Sequence, residues 1–320
     1  MRSWMSLALL VLVALGVPAH SAECPAEEDI SPCTCDDLDE DFSIILSCYG
    51  DISQTDLKRS FNAVKGIDNI GVELDEINLG TIPSNFFEGL RIKKLSISHC
   101  ELVSLTDGSG PALRGLEDGL EELEIMASFS EDNGPVKLDL SHMRRLAEVD
   151  LSFNGLTEVG NDWFERGPAS LTTLMLSNNA IEKLGDRAFA NLANLKVLHL
   201  HGSRFGPIKR SMFPSSAQQL TDIELDNNDL TSIPDDFFSN MPALRYISLR
   251  TNVITHLPQS TWESVWQRMD TIRLEGNPLV CDSHIDWMRR VTSSAAVFGR
   301  CNSPPDMDGK DLYDVIKGRL

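Results

Sequence analysis

From Leu146 onward, apolar and polar residues settle into a repeating frame. Leu146, Val149, Leu151, Leu156 and Val159 are apolar at positions 1, 4, 6, 11 and 14, and Asn154 stands at position 9. The frame returns at Leu171, Leu195, Leu220, Leu244 and Met269, in steps of 25, 24, 25, 24 and 25 residues. Six copies in register at one pitch mark a repeat architecture, in which a unit buries its apolar face only by stacking on its neighbours. Within each copy the alternation predicts a short strand with its apolar side chains turned inward. Asn154, Asn179, Asn228, Asn252 and Asn277 at position 9 predict buried amides that satisfy backbone polar groups where the chain bends. An apolar anchor follows in each copy, Phe164, Phe189, Phe213, Phe238 or Trp262, and is expected to fill the opposite, convex side.

The frame resembles the leucine-rich repeat, Leu-x-x-Leu-x-Leu-x-x-Asn/Cys-x-Leu. The expected fold class is therefore α/β: a leucine-rich-repeat solenoid whose curved parallel sheet lines the concave side. Ser203 holds the asparagine position in one copy, and Cys100 holds it in an earlier one, which predicts a buried, inert thiol there. The N-terminal half is less regular. A compressed copy lies at 70–87, and Leu120, Leu123 and Ile125 begin another that residues 127–135 interrupt with loop composition. A further strand is expected at 136–140. About nine or ten turns result, and at a strand spacing of about 4.8 Å they give an array roughly 45 Å long.

Charge and cysteines set the context. The formal charge is −20, which argues against nucleic acid and anionic membranes as partners and suits a basic one. Arg2, an apolar run at 7–17 and the small residues Ala19, Ser21 and Ala22 predict an export leader over 1–22. A membrane span needs about 20 apolar residues, so this run is too short, and no membrane anchor is expected. A secreted, extracellular location makes disulfides the expected state of the cysteines. Cys24, Cys33, Cys35 and Cys48 cluster at one end, Cys281 and Cys301 at the other. Four cysteines allow three pairings, and spacing alone does not choose among them.

An open-ended solenoid exposes a hydrophobic cross-section, so caps are required. The run Cys24-x8-Cys33-x-Cys35-x12-Cys48 resembles the cysteine-rich N-terminal cap of extracellular leucine-rich-repeat proteins, with longer spacings. That resemblance implies Cys24–Cys35 and Cys33–Cys48 bridges. Asn277-Pro-Leu-Val-Cys281, Trp287-Met288 and Cys301-Asn-Ser-Pro-Pro305 resemble the matching C-terminal cap, with Ser283 where a second cysteine usually stands. One bridge, Cys281–Cys301, is implied there. The expected organisation is a leader at 1–22, an N-cap at 23–66, irregular repeats at 67–145, regular repeats at 146–276 and a C-cap at 277–320. The opening segment from Cys24 to Cys35, Cys-Pro-Ala-Glu-Glu-Asp-Ile-Ser-Pro-Cys-Thr-Cys, is similar to an arthropod group related to the non-catalytic, leucine-rich-repeat subunit of deep-sea shrimp luciferase. That resemblance implies an accessory role beside a small catalytic partner.

Positions 3, 5 and 7 of each copy are expected to face outward on the concave side. They supply the candidate partner-binding residues Glu148, Asp150, Met175, His199, His201, Asp222, Glu224, Asp226, Tyr246, Arg250 and Arg273, with Glu122 and Glu124 upstream. Cross-strand Cβ atoms lie about 5 Å apart, so His199–Glu224 and His201–Asp226 pairs are geometrically available. These four residues compose a candidate divalent-metal or pH-sensitive site; the plainer and favoured reading is a solvated polar face with no metal. If the histidines bear on a partner, its binding changes between about pH 5 and 7. Tyr246, Arg250 and Arg273 form a second candidate contact, since Tyr and Arg are enriched at interface hot spots; the alternative is an ordinary polar face with Arg250 or Arg273 paired to Glu275. The sequence carries no Gly-x-Ser-x-Gly elbow, His-Glu-x-x-His, phosphate loop or nucleotide fingerprint, so neither catalysis nor a cofactor is expected. The expected function is that of a secreted accessory or scaffold protein holding a protein partner on its concave face. The alternatives are a matrix component and an innate-immune protein that binds microbial glycans.

Overall fold

A computed structural model describes residues 23–37, 39–129, 138–291 and 293–318. The expected leader at 1–22 lies outside them. Twelve strands form one sheet, in the order Thr34–Asp36, Ile44–Tyr49, Ile70–Asp75, Ile92–Ser98, Glu122–Met126, Glu148–Asp150, Thr173–Met175, Val197–His199, Asp222–Glu224, Tyr246–Ser248, Thr271–Arg273 and Ala296–Phe298. The first strand pairs antiparallel with the second, and every later pairing is parallel. Each strand is an alternation of inward apolar and outward polar residues, as in Glu148, Val149 and Asp150, of which only Val149 is buried. The regular strands are three residues long because positions 4 and 6 alone point inward before the chain must turn.

The turn is held by the position-9 side chains. Asn179 Oδ1 accepts from the amides of Asn154 and Leu156 at 2.9 and 3.1 Å, and its Nδ2 donates to the carbonyls of Leu151 and Leu176. Asn252 repeats this with Asn228, Leu230, Leu225 and Leu249. Ser203 donates to Asn179 O, and Cys100 Sγ sits 3.5 Å from both the Ile77 amide and Leu74 O. Cys100 is buried and unbonded to another cysteine, and burial pushes its thiol pKa up, so the thiol is inert.

Position 8, just before the ladder, has a conformation that the apolar pattern does not reveal. Glu76, His99, Ala127, Phe153, Asn178, Gly202, Asn227, Thr251 and Gly276 all have φ between 47° and 76°. This left-handed residue turns its amide onto the next coil, as in Asn178 N to His201 O at 2.7 Å and Thr251 N to Glu275 O at 2.7 Å. Gly202 has a second constraint, because a Cβ there would lie 2.6 Å from Asn178 Oδ1. Phe153 is the costly member: the left-handed region costs an ordinary L residue about 1–2 kcal/mol, and this ring is exposed.

Behind the sheet, Phe164, Phe189, Phe213, Phe237, Phe238 and Trp262 stack in one file with ring centroids 5.1–6.2 Å apart. Cys24–Cys35, Cys33–Cys48 and Cys281–Cys301 are bonded. These are the pairings that the cap resemblance implies. At the N-cap the helix Gln54–Ala63 lays Leu57 and Phe61 against the first coil, with Phe61 5.6 Å from Phe86. At the C-cap, Trp287 donates from Nε1 to Leu257 O and packs 5.2 Å from Trp266.

Two sequence expectations need correction. No strand forms at 138–140, the described part of 136–140; Glu122–Met126 pairs directly with Glu148–Asp150 and leaves no slot between them. Leu138 and Leu140 are buried as filling instead. The irregular copy also keeps its turn further than expected. Ser128 takes the ladder position, accepting from Cys100 N and donating to Ile97 O at 3.1 Å each, so residues 127–129 still belong to the repeat.

The ladder yields a direct prediction. Asn228 is fully buried, accepts from Ser203 N and donates to Leu200 O and Asp226 O. Asn228→Ala strands these backbone groups and is expected to cost about 2–5 kcal/mol of stability in a denaturant titration.

Candidate functional site

Because the coils are in register, outward side chains form rows that cross the concave face. One row runs Ser96, Glu124, Asp150, Met175, His199, Glu224, Ser248, Arg273 and Phe298. A parallel row runs Lys94, Glu122, Glu148, Thr173, Val197, Asp222, Tyr246, Thr271 and Ala296. All the sequence-predicted partner-binding residues other than His201, Asp226 and Arg250 lie in these two rows, and those three stand at position 7 beside them.

At the N-terminal side, Glu122, Glu124, Glu148 and Asp150 occupy adjacent places in two neighbouring strands. Lys94 approaches Glu122 and Glu124 at 3.7 Å each. Burial, then the nearby Glu122 charge, raises the Glu148 pKa above the usual carboxylate range, with Lys94 opposing. Asp150 is held inward by accepting from Ser152 N at 2.8 Å.

In the middle, the Glu224 carboxylate lies between two imidazoles, 4.0 Å from His199 Nδ1 and 3.6 Å from His201 Nδ1. Tyr246 OH donates to its other oxygen at 3.3 Å. Hydrogen bonding to the neighbouring His201 ring is the main cause of a lowered Glu224 pKa; burial opposes it, and the charges of His199 and His201 lower it further. Of the two pairs that the strand spacing makes available, His201–Asp226 does not form. Asp226 Oδ1 instead accepts from Ser248 Oγ at 2.6 Å and Arg250 N at 2.7 Å, two donors on the next coil that reach it directly. His201 contacts Ser177 Oγ through Nδ1 and Asn178 Nδ2 through Nε2. His199, His201, Glu224 and Asp226 therefore do not converge on one point, and among the described residues no group of three or more His, Cys, Asp or Glu is placed to hold a metal ion. Ser177, His201 and Glu224 do not form a proton relay either. Serine and carboxylate approach the same ring nitrogen, whereas a relay needs them on opposite nitrogens.

At the C-terminal side, Arg273 donates to Glu275 Oε1 at 2.9 and 3.2 Å, and its guanidinium lies 5.2 Å from the Phe298 ring centre. The Arg250 guanidinium is exposed and has no partner among the described residues. Sequence reasoning missed Phe298 and Lys94. Ala296, Val297 and Phe298 continue the alternation by one more strand inside the cap, beyond the last full copy, and Val297 turning inward is the signal that finds Phe298. Lys94 sits in an irregular copy whose pairing slips between Ile70 and Gly71, so spacing alone does not place it.

The raised Glu148 pKa fixes the sign of a pH test. Above the unfolded carboxyl pKa of about 4.3 the folded state disfavours the charge it must carry; below it both states are protonated and the difference vanishes. Glu148→Gln is expected to stabilise the chain at pH 7, by less than about 1 kcal/mol because the group is partly solvated, and to have no effect at pH 3. Denaturant titrations at the two pH values check it.

The geometry agrees with comparisons to known proteins. Residues 144–205 and 218–279 match the family model described as Leucine rich repeat. Over 202 residues, 62% of this chain, the sequence is 23% identical to the Oplophorus-luciferin 2-monooxygenase non-catalytic subunit of Oplophorus gracilirostris, of which the match covers 54%. The match thus spans about half the length of that relative. Among the described residues no helix is long and apolar enough to cross a membrane. The chain is a leucine-rich-repeat solenoid with disulfide-stapled ends, and it resembles a non-catalytic subunit.

Proposed function

We propose that this chain is a secreted accessory protein that holds a protein partner on its concave face and performs no catalysis itself. The observation that carries the reading is the make-up of that face. Met175, His199, His201, Tyr246, Arg250, Arg273 and Phe298 fall on five of six consecutive coils of one sheet, with the acidic strand Asp222–Glu224 between the histidines and Tyr246. Tyr, Met, Phe and Arg are the residue types that interfaces concentrate, because they bring contact area or bidentate hydrogen bonding at small entropic cost. Support comes also from the similarity to a protein named a non-catalytic subunit. Three disulfides suit an exported chain. The net charge of −20 makes a basic partner the natural complement.

The test is retention of a partner from native secretions by the tagged, exported chain. A stoichiometric small protein is expected to bind wild type and the convex-surface variant Lys183→Ala equally. Tyr246→Ala and Arg273→Ala are expected to weaken it by about tenfold or more, the range of interface hot spots. Retention by all four chains, or recovery only of a sedimenting matrix or of polysaccharide, contradicts the proposal.

A further inference from the structure

The concave face ends at a groove that the leucine-rich repeat does not require. About 410 Å³ of space lies between the last repeat and the C-cap, and its lining includes Glu275, Phe298, Arg300, Asn302, Asp308 and Asp311. Phe298 forms its wall on the concave side and is 43% exposed. One side of the ring is taken by Arg273.

The polar groups around the groove are unevenly satisfied. Glu275 gives one oxygen to Arg273, but its Oε2 is buried and has no hydrogen-bond partner among the described residues. Asp311 is occupied in part, accepting from Tyr313 N at 2.9 Å at the start of the last helix. Asp308 is exposed and unpartnered among the described residues, and so is the one cation of the lining, Arg300. Three carboxylates line the groove against Arg300, with Arg273 paired to Glu275 at its edge, and leave it net negative, in a chain whose net charge is −20. An occupant is therefore favoured if it brings a cation, offers a hydrogen-bond donor to the exposed Asp308 carboxylate and has an apolar or planar body to lie on the open side of Phe298. An arginine side chain meets all three requirements, and lysine meets them less fully, since guanidinium stacks on aromatic rings and donates in a fixed fork.

We infer that the Phe298 groove is a socket for an arginine or lysine side chain of the protein partner, anchoring the partner at the C-terminal end of the concave face. The inference rests on the concave-face reading above and assigns that face an end and a chemistry. The Arg273–Phe298 stack pre-positions the ring, so the incoming side chain meets a wall that is already fixed.

The test selects random displayed peptides on the immobilised full-length exported chain and measures their affinities for variants. Phe298→Ala and Asp308→Lys both alter exposed side chains and leave the ladder intact. The expected result is enrichment of peptides containing Arg or Lys, each weakened at least about tenfold by Phe298→Ala and by Asp308→Lys, a change of about 1.4 kcal/mol. Neutral or acidic peptides, or no enrichment, overturn the socket. Weakening by Asp308→Lys without Phe298→Ala also overturns it, since that is general attraction to an acidic chain. Peptides indifferent to both variants but lost on His201→Ala or Glu224→Ala overturn the socket and leave the concave-face reading standing. Indifference to all four variants overturns both.

Discussion

The constraint on which the molecule depends is the need to satisfy backbone groups where each coil leaves the sheet. A short strand turns inward-facing residues toward the core and then bends, and the bend exposes amides and carbonyls to an apolar interior. The asparagine ladder answers that need: one side chain accepts from two amides and donates to two carbonyls of adjacent coils, as Asn179 and Asn252 do. The left-handed residue before it passes its amide to the next coil. Together they lock neighbouring coils in register, and that register makes the concave face an ordered surface.

Ordered rows bring like and unlike groups together at the strand spacing, so the face has an electrostatic texture that no single copy holds. Glu148, stacked beside Glu122, is driven toward protonation by burial and by its neighbour. Glu224, between two imidazoles and a tyrosine hydroxyl, is held ionised. The same residue type thus has opposite tendencies three coils apart. The difference arises from what the adjacent strands place at the same height. A partner spanning the face meets acid first, then a hydrogen-bonded centre, then arginine and aromatic groups.

Much of this is legible in the amino-acid sequence alone. The 24- and 25-residue steps from Leu146 to Met269 determine the coil count of the regular half and the inward set, because the apolar period and the turn asparagines are local signals. Cys100 is legible for the same reason. Three things are not. Position 8 has no common residue type, since Glu, His, Phe, Asn, Thr and Gly all adopt it, so its left-handed conformation is enforced by neighbouring coils rather than by composition. The partner of Asp226 depends on which of several donors within reach has the shorter path, and Ser248 and the Arg250 amide win over His201. Phe298 is carried by a strand inside the cap, past the last recognisable copy, where the repeat ceases to guide the reading.

The central claim, that the concave face is the occupied surface, is tested most directly by hydroxyl-radical footprinting of the exported chain, alone and in the complex it retains from native secretions. Met175, His201, Tyr246 and Phe298 are expected to lose reactivity in the complex, while Lys183, exposed on the separate two-stranded sheet, keeps its own. Unchanged oxidation of the four concave residues, with protection appearing on the convex side, would contradict the account.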